Sequence, residues 1–145
     1  MPGGPAVTIE FEGLKQLRKD LLAVDKNLVK ELGQAYKKIG TMIVSAASAR
    51  AQGLGGVAAK SAQALASTAR ATDVSIRING EKYPWALGGE FGGGAPRSPQ
   101  FKPWRGNGPD AGYFLYPTIR DDSQKILDGF LEAFDKASKL AFPNR

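Results

Sequence analysis

The chain of 145 residues contains neither cysteine nor histidine. The lack of cysteine excludes disulfide bonds and thiolate metal sites. The lack of histidine removes the most common general base and metal ligand, and with it every histidine-dependent catalytic triad. No pair of carboxylates marks a recognisable acid–base site. We therefore expect no enzymatic activity, no cofactor and no bound metal.

Long apolar segments are missing as well. No apolar run approaches the roughly 20 residues that a membrane-spanning helix requires. Residues 1–5 lack the basic and apolar regions with which a signal peptide begins. These absences predict a protein that is made and kept in a cytoplasm-like compartment and does not contact a membrane.

Positive charge is in excess, and it is unevenly distributed along the chain. The net charge is +6. Residues 1–80 contain 11 lysines and arginines against 6 aspartates and glutamates, whereas residues 81–145 contain 9 against 8. A basic excess predicts an acidic partner, which can be either nucleic acid or an acidic protein surface.

The first third of the chain contains a strand pattern followed by a helix pattern. Val7, Ile9 and Phe11 alternate with polar residues, which predicts a short strand with one buried face. From Leu14 onwards, apolar residues recur every three or four positions. This pattern predicts one long amphipathic helix, or two helices that break near Asp25, whose side chain can cap the second.

Residues 52–72 combine glycine breaks with a stretch rich in alanine and serine. This composition favours a helix, but it offers little apolar bulk with which to hold the segment against a core. We interpret the segment as a thin helix or a mobile arm that becomes ordered on assembly.

Residues 74–78 alternate between apolar and polar side chains and predict a second strand. The Asn-Gly pair at 79–80 is a strong signal for a type I′ hairpin turn. The partner strand of this hairpin would contain Tyr83 and Trp85. Because Pro84 has no N–H group, that strand is restricted to a sheet edge or a bulge.

The last third combines a long loop with a helix. Residues 88–112 show no regular period, and their glycine and proline content predicts a long loop of the kind that is functional or disordered. Thr118 and Asp121 have the spacing of a capping box for the last helix. The apolar face of that helix contains Ile119, Ile126, Leu127, Phe130, Phe134, Ala137 and Ala141.

Together these patterns predict one α+β domain over residues 1–145. We expect a small antiparallel sheet packed against a long N-terminal amphipathic helix and a C-terminal helix, with a long loop rich in glycine, proline and aromatic residues.

Five lysines fall on nearly one side of the long helix at 100° per residue. They are Lys15, Lys19, Lys26, Lys30 and Lys37. This face can be an ordinary solvated surface, or it can face DNA or an acidic neighbour. A helix break near Asp25 would divide it.

The Glu90-Phe91-Gly92 sequence predicts a structural turn. Phe91 can fill the core, and Gly92 can adopt a positive φ. The carboxylate of Glu90 can accept hydrogen bonds from exposed amides, or it can pair with Arg97 or Arg105. A structural role is favoured over a catalytic one because no histidine or second carboxylate accompanies Glu90.

Aromatic residues are concentrated between residues 83 and 119, which contain both tryptophans and all but one of the tyrosines. Such residues can stack on nucleic-acid bases, but tryptophan, tyrosine and arginine also dominate protein–protein contacts. We predict a subunit interface here. Its residues are Trp85, Phe91, Trp104, Arg105, Tyr113 and Tyr116.

The order of these features resembles the neck or tail-completion proteins of long-tailed bacteriophages. A helical N-terminal half, a Glu-Phe-Gly turn, a loop and a Phe-Leu-aromatic-Pro-x-Ile helix start follow one another in both. The matching residues are Tyr83, Glu90, Phe91, Gly92, Phe114, Leu115, Pro117 and Ile119. The chain departs from the family after its long helix, where Arg50 and Ala51 are followed by Gln52 and Gly53 instead of proline.

The resemblance implies a structural virion protein at the head–tail junction, assembled in the bacterial cytoplasm. Copies would form a ring, most readily a hexamer, around the DNA channel and join the head connector or stopper to the tail terminator or tail tube. The lysine face would then look towards the DNA. The alternatives are a tail terminator that caps the tail tube and, in a different class, a non-specific nucleic-acid-binding protein.

Overall fold

A computed structural model describes residues 6–10, 14–70, 73–93, 101–106 and 108–142. The chain is α+β, mostly helical with a small antiparallel sheet. The elements are β1 (Ala6–Glu10), α1 (Leu14–Val24), α2 (Lys26–Leu54), α3 (Gly56–Ser61), β2 (Leu65–Ala69), β3 (Asp73–Ile78), α4 (Ala86–Phe91), α5 (Leu115–Asp121) and α6 (Ser123–Ala141), with a 3₁₀ turn at Ala62–Ala64 before β2.

The sheet has the order β1-β3-β2, and β3 runs antiparallel to both of its neighbours. The three apolar residues of β3, Val74, Ile76 and Ile78, are buried, as the alternating pattern predicts. Leu65 of β2 pairs with Ile78, and Ile9 of β1 pairs with Val74. These three side chains of β3 alternate along the strand and therefore lie on one face of the sheet.

The prediction of a hairpin with its turn at residues 79–80 is wrong. Both edges of β3 are already occupied, so no edge is left for a strand containing Tyr83 and Trp85. Pro84 also lacks the N–H group that such a strand would donate. The chain turns instead through residues 79–85 and enters α4.

The long helical pattern is divided at Asp25, which confirms the two-helix alternative. The backbone of Asp25 is extended, with φ −163° and ψ 120°, and its carboxylate accepts a 2.9 Å hydrogen bond from the backbone N–H of Asn27. This bond satisfies one of the free N–H groups at the start of α2.

Helix α2 is the central element, because it packs against the sheet on one side and against α6 on another. The ring of Tyr36 meets that of Phe130 edge-on, with the centroids 4.8 Å apart. Further along α2, Arg50 forms a 2.7 Å ion pair with Asp121. Because later residues of α2 meet earlier residues of the C-terminal helices, α2 and α6 are antiparallel.

Residues 52–70 belong to the core and the sheet rather than to a separate arm. A helix is present only as far as Ser61, and residues 65–69 form a strand, so the predicted continuous helix is wrong there. The residues buried in this segment are Ala58, Ser61, Ala62, Ala64 and Leu65. Their small side chains allow a close approach to α4, where a Cβ at Gly89 would collide with the hydroxyl of Ser61.

None of the helices in the described ranges combines the length and the apolar character of a membrane span.

Two glycines of α2 provide a matched test of this packing. A Cβ at Gly40 would lie 2.9 Å from the Cβ of Ser67 and 3.1 Å from the Cγ1 of Val74, whereas a Cβ at Gly53 would meet nothing within 4 Å. We expect Gly40→Ala to lower the free energy of unfolding by about 1–2 kcal/mol, because α2 must move away from the sheet. Gly53→Ala should leave it unchanged or raise it by up to about 1 kcal/mol.

Urea denaturation followed by circular dichroism measures both effects. Equal stability of the two variants would show that α2 does not approach the sheet as closely as described.

Candidate interaction site

Glu90 is a fully buried carboxylate near the end of α4. One of its oxygens accepts hydrogen bonds from the backbone N–H groups of Phe114 (3.2 Å) and Leu115 (2.8 Å), and the other from that of Tyr116 (3.0 Å). These donors lie at the start of α5, where no intrahelical acceptor exists. Glu90 therefore caps a helix that begins 25 residues later in the chain. This confirms the alternative in which Glu90 binds amides.

The capping box predicted from Thr118 and Asp121 is wrong. Helix α5 already begins at Leu115, so Thr118 lies inside it, buried and without a hydrogen-bond partner for its hydroxyl among the described residues. Pro117 falls in the first turn of α5, where an N–H group has no intrahelical acceptor and its absence is tolerated. The long-range cap by Glu90 replaces the local one.

Two glycines are required around this cap, Gly112 to leave space for the carboxylate of Glu90 and Gly92 to leave space for the backbone of Pro103. Gly92 and Gly112 both have φ 86°, a conformation that other residues rarely adopt. A Cβ at Gly112 would collide with Glu90 and lie 2.8 Å from the Cβ of Tyr116, and a Cβ at Gly92 would collide with the carbonyl oxygen of Pro103. The predicted positive φ of Gly92 is confirmed.

Burial raises the pKa of the Glu90 carboxyl above its ordinary value of 4.5, and the N–H groups of residues 113–116 act in the opposite direction. The carboxylate does not take Arg105 as its partner, because that guanidinium lies over the ring of Tyr113, 4.6 Å from its centroid. Arg97 lies outside the described residues. Within the described part of the chain, the partners of Glu90 are therefore backbone N–H groups.

Five of the six predicted interface residues come together beside the contact between Glu90 of α4 and the start of α5. We call them the aromatic surface. They are Phe91, Trp104, Arg105, Tyr113 and Tyr116. The ring of Phe91 lies 5.3 Å from that of Tyr116 and 6.3 Å from that of Trp104. Trp104 is 62% exposed, and Phe91 is half-buried in this surface rather than filling the core.

Backbone hydrogen bonds hold the aromatic surface between α4 and α5. The N–H of Arg105 donates to the carbonyl of Phe91 at 2.6 Å, and the N–H of Gly112 donates to the carbonyl of Arg105 at 2.7 Å. The hydroxyl of Tyr113 donates to the carbonyl of Pro103 at 2.7 Å. The described parts of the predicted 88–112 loop are therefore anchored, and residues 88–91 are helical.

Phe101 anchors the same segment, although sequence reasoning did not select it for the site. Its ring lies against the backbone of α4 and the turn that follows, because a Cβ at Gly88 or Gly93 would collide with it. The sequence signal for this contact is the presence of glycines on both sides of Glu90 and Phe91, because glycine has no side chain that would exclude an aromatic ring.

Trp85 does not share the ring contacts of the aromatic surface. It is half-buried and meets Tyr83 edge-on, with the centroids 5.8 Å apart. Its indole nitrogen is buried and has no hydrogen-bond partner in the described part of the chain.

The predicted lysine face is divided between two helices. Lys15 and Lys19 belong to α1, whereas Lys26, Lys30 and Lys37 belong to α2. Lys19 and the three lysines of α2 are exposed; the side chain of Lys15 lies outside the described part. The three on α2 remain within about 40° of one another around the helix axis. The helix break at Asp25 thus divides the predicted face, and a shorter lysine face remains on α2.

Within the described ranges, no group of three acidic, histidine or cysteine side chains has the arrangement of a metal site.

Substitutions at Glu90 test its role as a cap. We expect Glu90→Leu to lower the free energy of unfolding by about 3 kcal/mol or more, because it leaves buried N–H groups of α5 without an acceptor. Glu90→Gln should cost about 1 kcal/mol, because its amide oxygen still accepts. The matched control is Glu132→Gln, an exposed glutamate of α6. Equal effects at positions 90 and 132 would contradict the cap.

The pH dependence of stability tests the raised pKa. Because the pKa of Glu90 is higher in the folded chain than in the unfolded one, its stabilising contribution is complete below about pH 4.5 and is lost as the pH rises through the folded-state value. The stability of the wild type relative to Glu90→Gln should therefore decrease over that rise. An increase would mean that the amide hydrogen bonds outweigh burial.

Comparison with known proteins finds no protein-family model, no curated protein and no solved structure that is significantly similar to this chain.

Proposed function

We propose that this chain is a structural subunit of a bacteriophage neck, which forms a homo-oligomeric ring around the DNA channel and joins the head connector to the tail. The observation that best supports this proposal is that the two motifs responsible for the resemblance are physically coupled. Glu90 of the Glu-Phe-Gly motif caps the helix that opens with Phe114 and Leu115.

The aromatic surface supports a role in assembly. Monomeric proteins rarely expose a large contiguous apolar patch, and tryptophan, tyrosine and arginine are the residues that contribute most to protein–protein affinity. Trp104 is exposed, yet its ring lies against Phe91 and over the backbone of Gly106. A fixed and exposed indole fits a subunit contact.

A non-specific nucleic-acid-binding protein is the second candidate. The exposed lysines 26, 30 and 37 on one side of α2 favour it. Binding through such a face would be weak, independent of sequence and strongly dependent on salt. In the proposed ring the same face would look towards the DNA in the channel. A tail terminator would use the same surfaces at a different level of the neck.

Trp104→Ala separates assembly from folding. We expect it to reduce ring formation or incorporation into particles by at least about tenfold, because a central tryptophan contributes more than about 1.4 kcal/mol to an interface. The melting temperature should change little. Val24→Ala is the control, since it truncates another exposed apolar side chain, 51% exposed, on α1.

Mass photometry and negative-stain imaging measure the ring, and scanning calorimetry measures the melting temperature. If Trp104→Ala loses as much thermal stability as assembly, then Trp104 belongs to the core.

Particles provide the direct test of the proposed function. In the phage or prophage that encodes the chain, deletion of its gene should leave filled heads and separate tails. Imaging of intact particles should place the wild-type chain in the neck. Normal particles without it would refute the proposal.

A further inference from the structure

The two outer strands of the sheet, β1 and β2, each have a neighbouring strand on one side only within the described residues. Both run antiparallel to β3, so they are parallel to each other. Each has five residues. The outer edge of a strand presents backbone N–H and C=O groups that can pair with another chain. The sheet therefore has two free edges of equal length, formed by different strands.

The hydrogen bonds between β2 and β3 show which backbone groups of β2 point outwards. The N–H of Arg70 donates to the carbonyl of Asp73 at 2.9 Å. Alternate residues of an antiparallel pair exchange such bonds, so the even-numbered residues of β2 direct their backbone groups to β3. The N–H and C=O groups of Ser67 and Ala69, and the C=O group of Leu65, therefore point to the free edge.

The same alternation determines the free edge of β1. The odd-numbered residues of β3 face β2, so residues 74 and 76 direct their backbone groups to β1. Their register partners in β1 are Ile9 and Val7. The backbone groups of Ala6, Thr8 and Glu10 therefore point outwards.

Neither edge has the features with which proteins prevent strands from pairing with other chains. Such features are proline, lysine and bulges. Neither strand contains proline or lysine, and Glu10 is the sole charged residue in the two. The register of each strand with β3 is continuous, without a bulge. Both edges are therefore suited to accept a strand.

We infer that β2 of one copy pairs with β1 of the next copy. This inference rests on the proposed ring and specifies one of its contacts. A ring requires that each copy present two different surfaces that meet, since a self-complementary contact closes as a dimer. The two edges meet this condition, and their pairing leaves no edge open once the ring is closed. A β2–β2 contact would leave every β1 edge unpaired.

Symmetry and hydrogen bonding define the geometry of this contact. Rotation about an axis along the strands preserves their direction, so β2 and β1 pair in parallel. Each residue of a parallel pair bonds to the two residues that flank its counterpart. With Ser67 opposite Val7, the N–H of Ser67 meets the carbonyl of Ala6, and its carbonyl meets the N–H of Thr8. All the outward groups of β2 then have a partner, whereas a shift by two residues in either direction leaves some without one.

Disulfide trapping tests the inference directly, because the chain has no cysteine of its own. The proposed register places Thr68 opposite Thr8 of the next copy, with the Cα atoms about 4.8 Å apart, a distance that a disulfide can span. Within one copy both residues pair with Ser75. They are thus separated by β3 and lie about 9–10 Å apart, too far for a disulfide.

The double variant Thr8→Cys/Thr68→Cys can therefore form the 8–68 disulfide only between copies. Under mild oxidation we expect a ladder of covalent oligomers on a denaturing gel, and its largest member gives the number of copies in the ring. The control is Thr8→Cys/Glu132→Cys, whose second thiol lies at an exposed position of α6. It should give no ladder.

The outcomes separate this inference from the proposed ring. Rings that form without the 8–68 disulfide would overturn the edge pairing and leave the ring intact. If Thr68→Cys alone gave disulfide-linked dimers as efficiently as the double variant, a β2–β2 contact would replace the proposed one. A chain that stays monomeric at its highest soluble concentration and gives no disulfide would overturn the inference, while the particle experiment would still decide the neck function.

A proline in the free edge of β2 gives an independent check. Ala69→Pro removes an N–H group that β3 does not use, and proline is tolerated at such edge positions. The matched control Ala69→Ser retains the N–H group. We expect Ala69→Pro to reduce ring formation at least about fivefold relative to the control, because a carbonyl of the next copy loses its donor. Equal ring formation by the two folded variants would contradict the pairing. The disulfide ladder decides the inference whether or not Ala69→Pro folds.

Discussion

The hydrogen bonds from the N–H groups at the start of α5 to the carboxylate of Glu90 connect α4 to the C-terminal helices. A buried carboxylate is costly unless donors surround it, and the first N–H groups of a helix are costly unless an acceptor meets them. Each group offsets part of the unfavourable burial of the other. This mutual satisfaction fixes α4 against α5, and α5 continues into α6, which packs on the central helix α2. Loss of the carboxylate would therefore disturb the aromatic surface and the helical core together.

Small residues determine how closely these elements approach. Gly40 allows α2 to lie on β2 and β3, Gly89 allows α4 to lie on α3, and Gly112 leaves room for the carboxylate of Glu90. The alanine- and serine-rich segment follows the same principle. It contributes little apolar area per residue, but its short side chains bring three helices and a strand within contact of one another. Close contacts of this kind contribute dispersion energy where large side chains are lacking.

Local signals in the sequence predict the structure where the determining interaction is also local. Asp25 caps a helix two residues away, and Val74, Ile76 and Ile78 alternate as a strand does. The sequence-based predictions are wrong where an element depends on a partner that is distant in the chain. The alanine-rich stretch at 65–69 became a strand because β3 offered an edge, and α5 began three residues before Thr118 because Glu90 supplied its cap. For the site, composition identified five residues that come together, whereas Trp85 was separated by the turn through Pro84.

The aromatic surface lies on a segment that is anchored by hydrogen bonds at several points. An exposed indole in a free loop would lose conformational freedom on binding, which would weaken any contact it makes. Here the segment that carries Trp104 is hydrogen-bonded to the end of α4 and to the residues before α5, and its Phe101 packs against Gly88 and Gly93. Because Glu90 joins those same two helices, the cap that connects them also positions the side chains of the aromatic surface. The same buried carboxylate therefore contributes to the fold and to the arrangement of the aromatic surface.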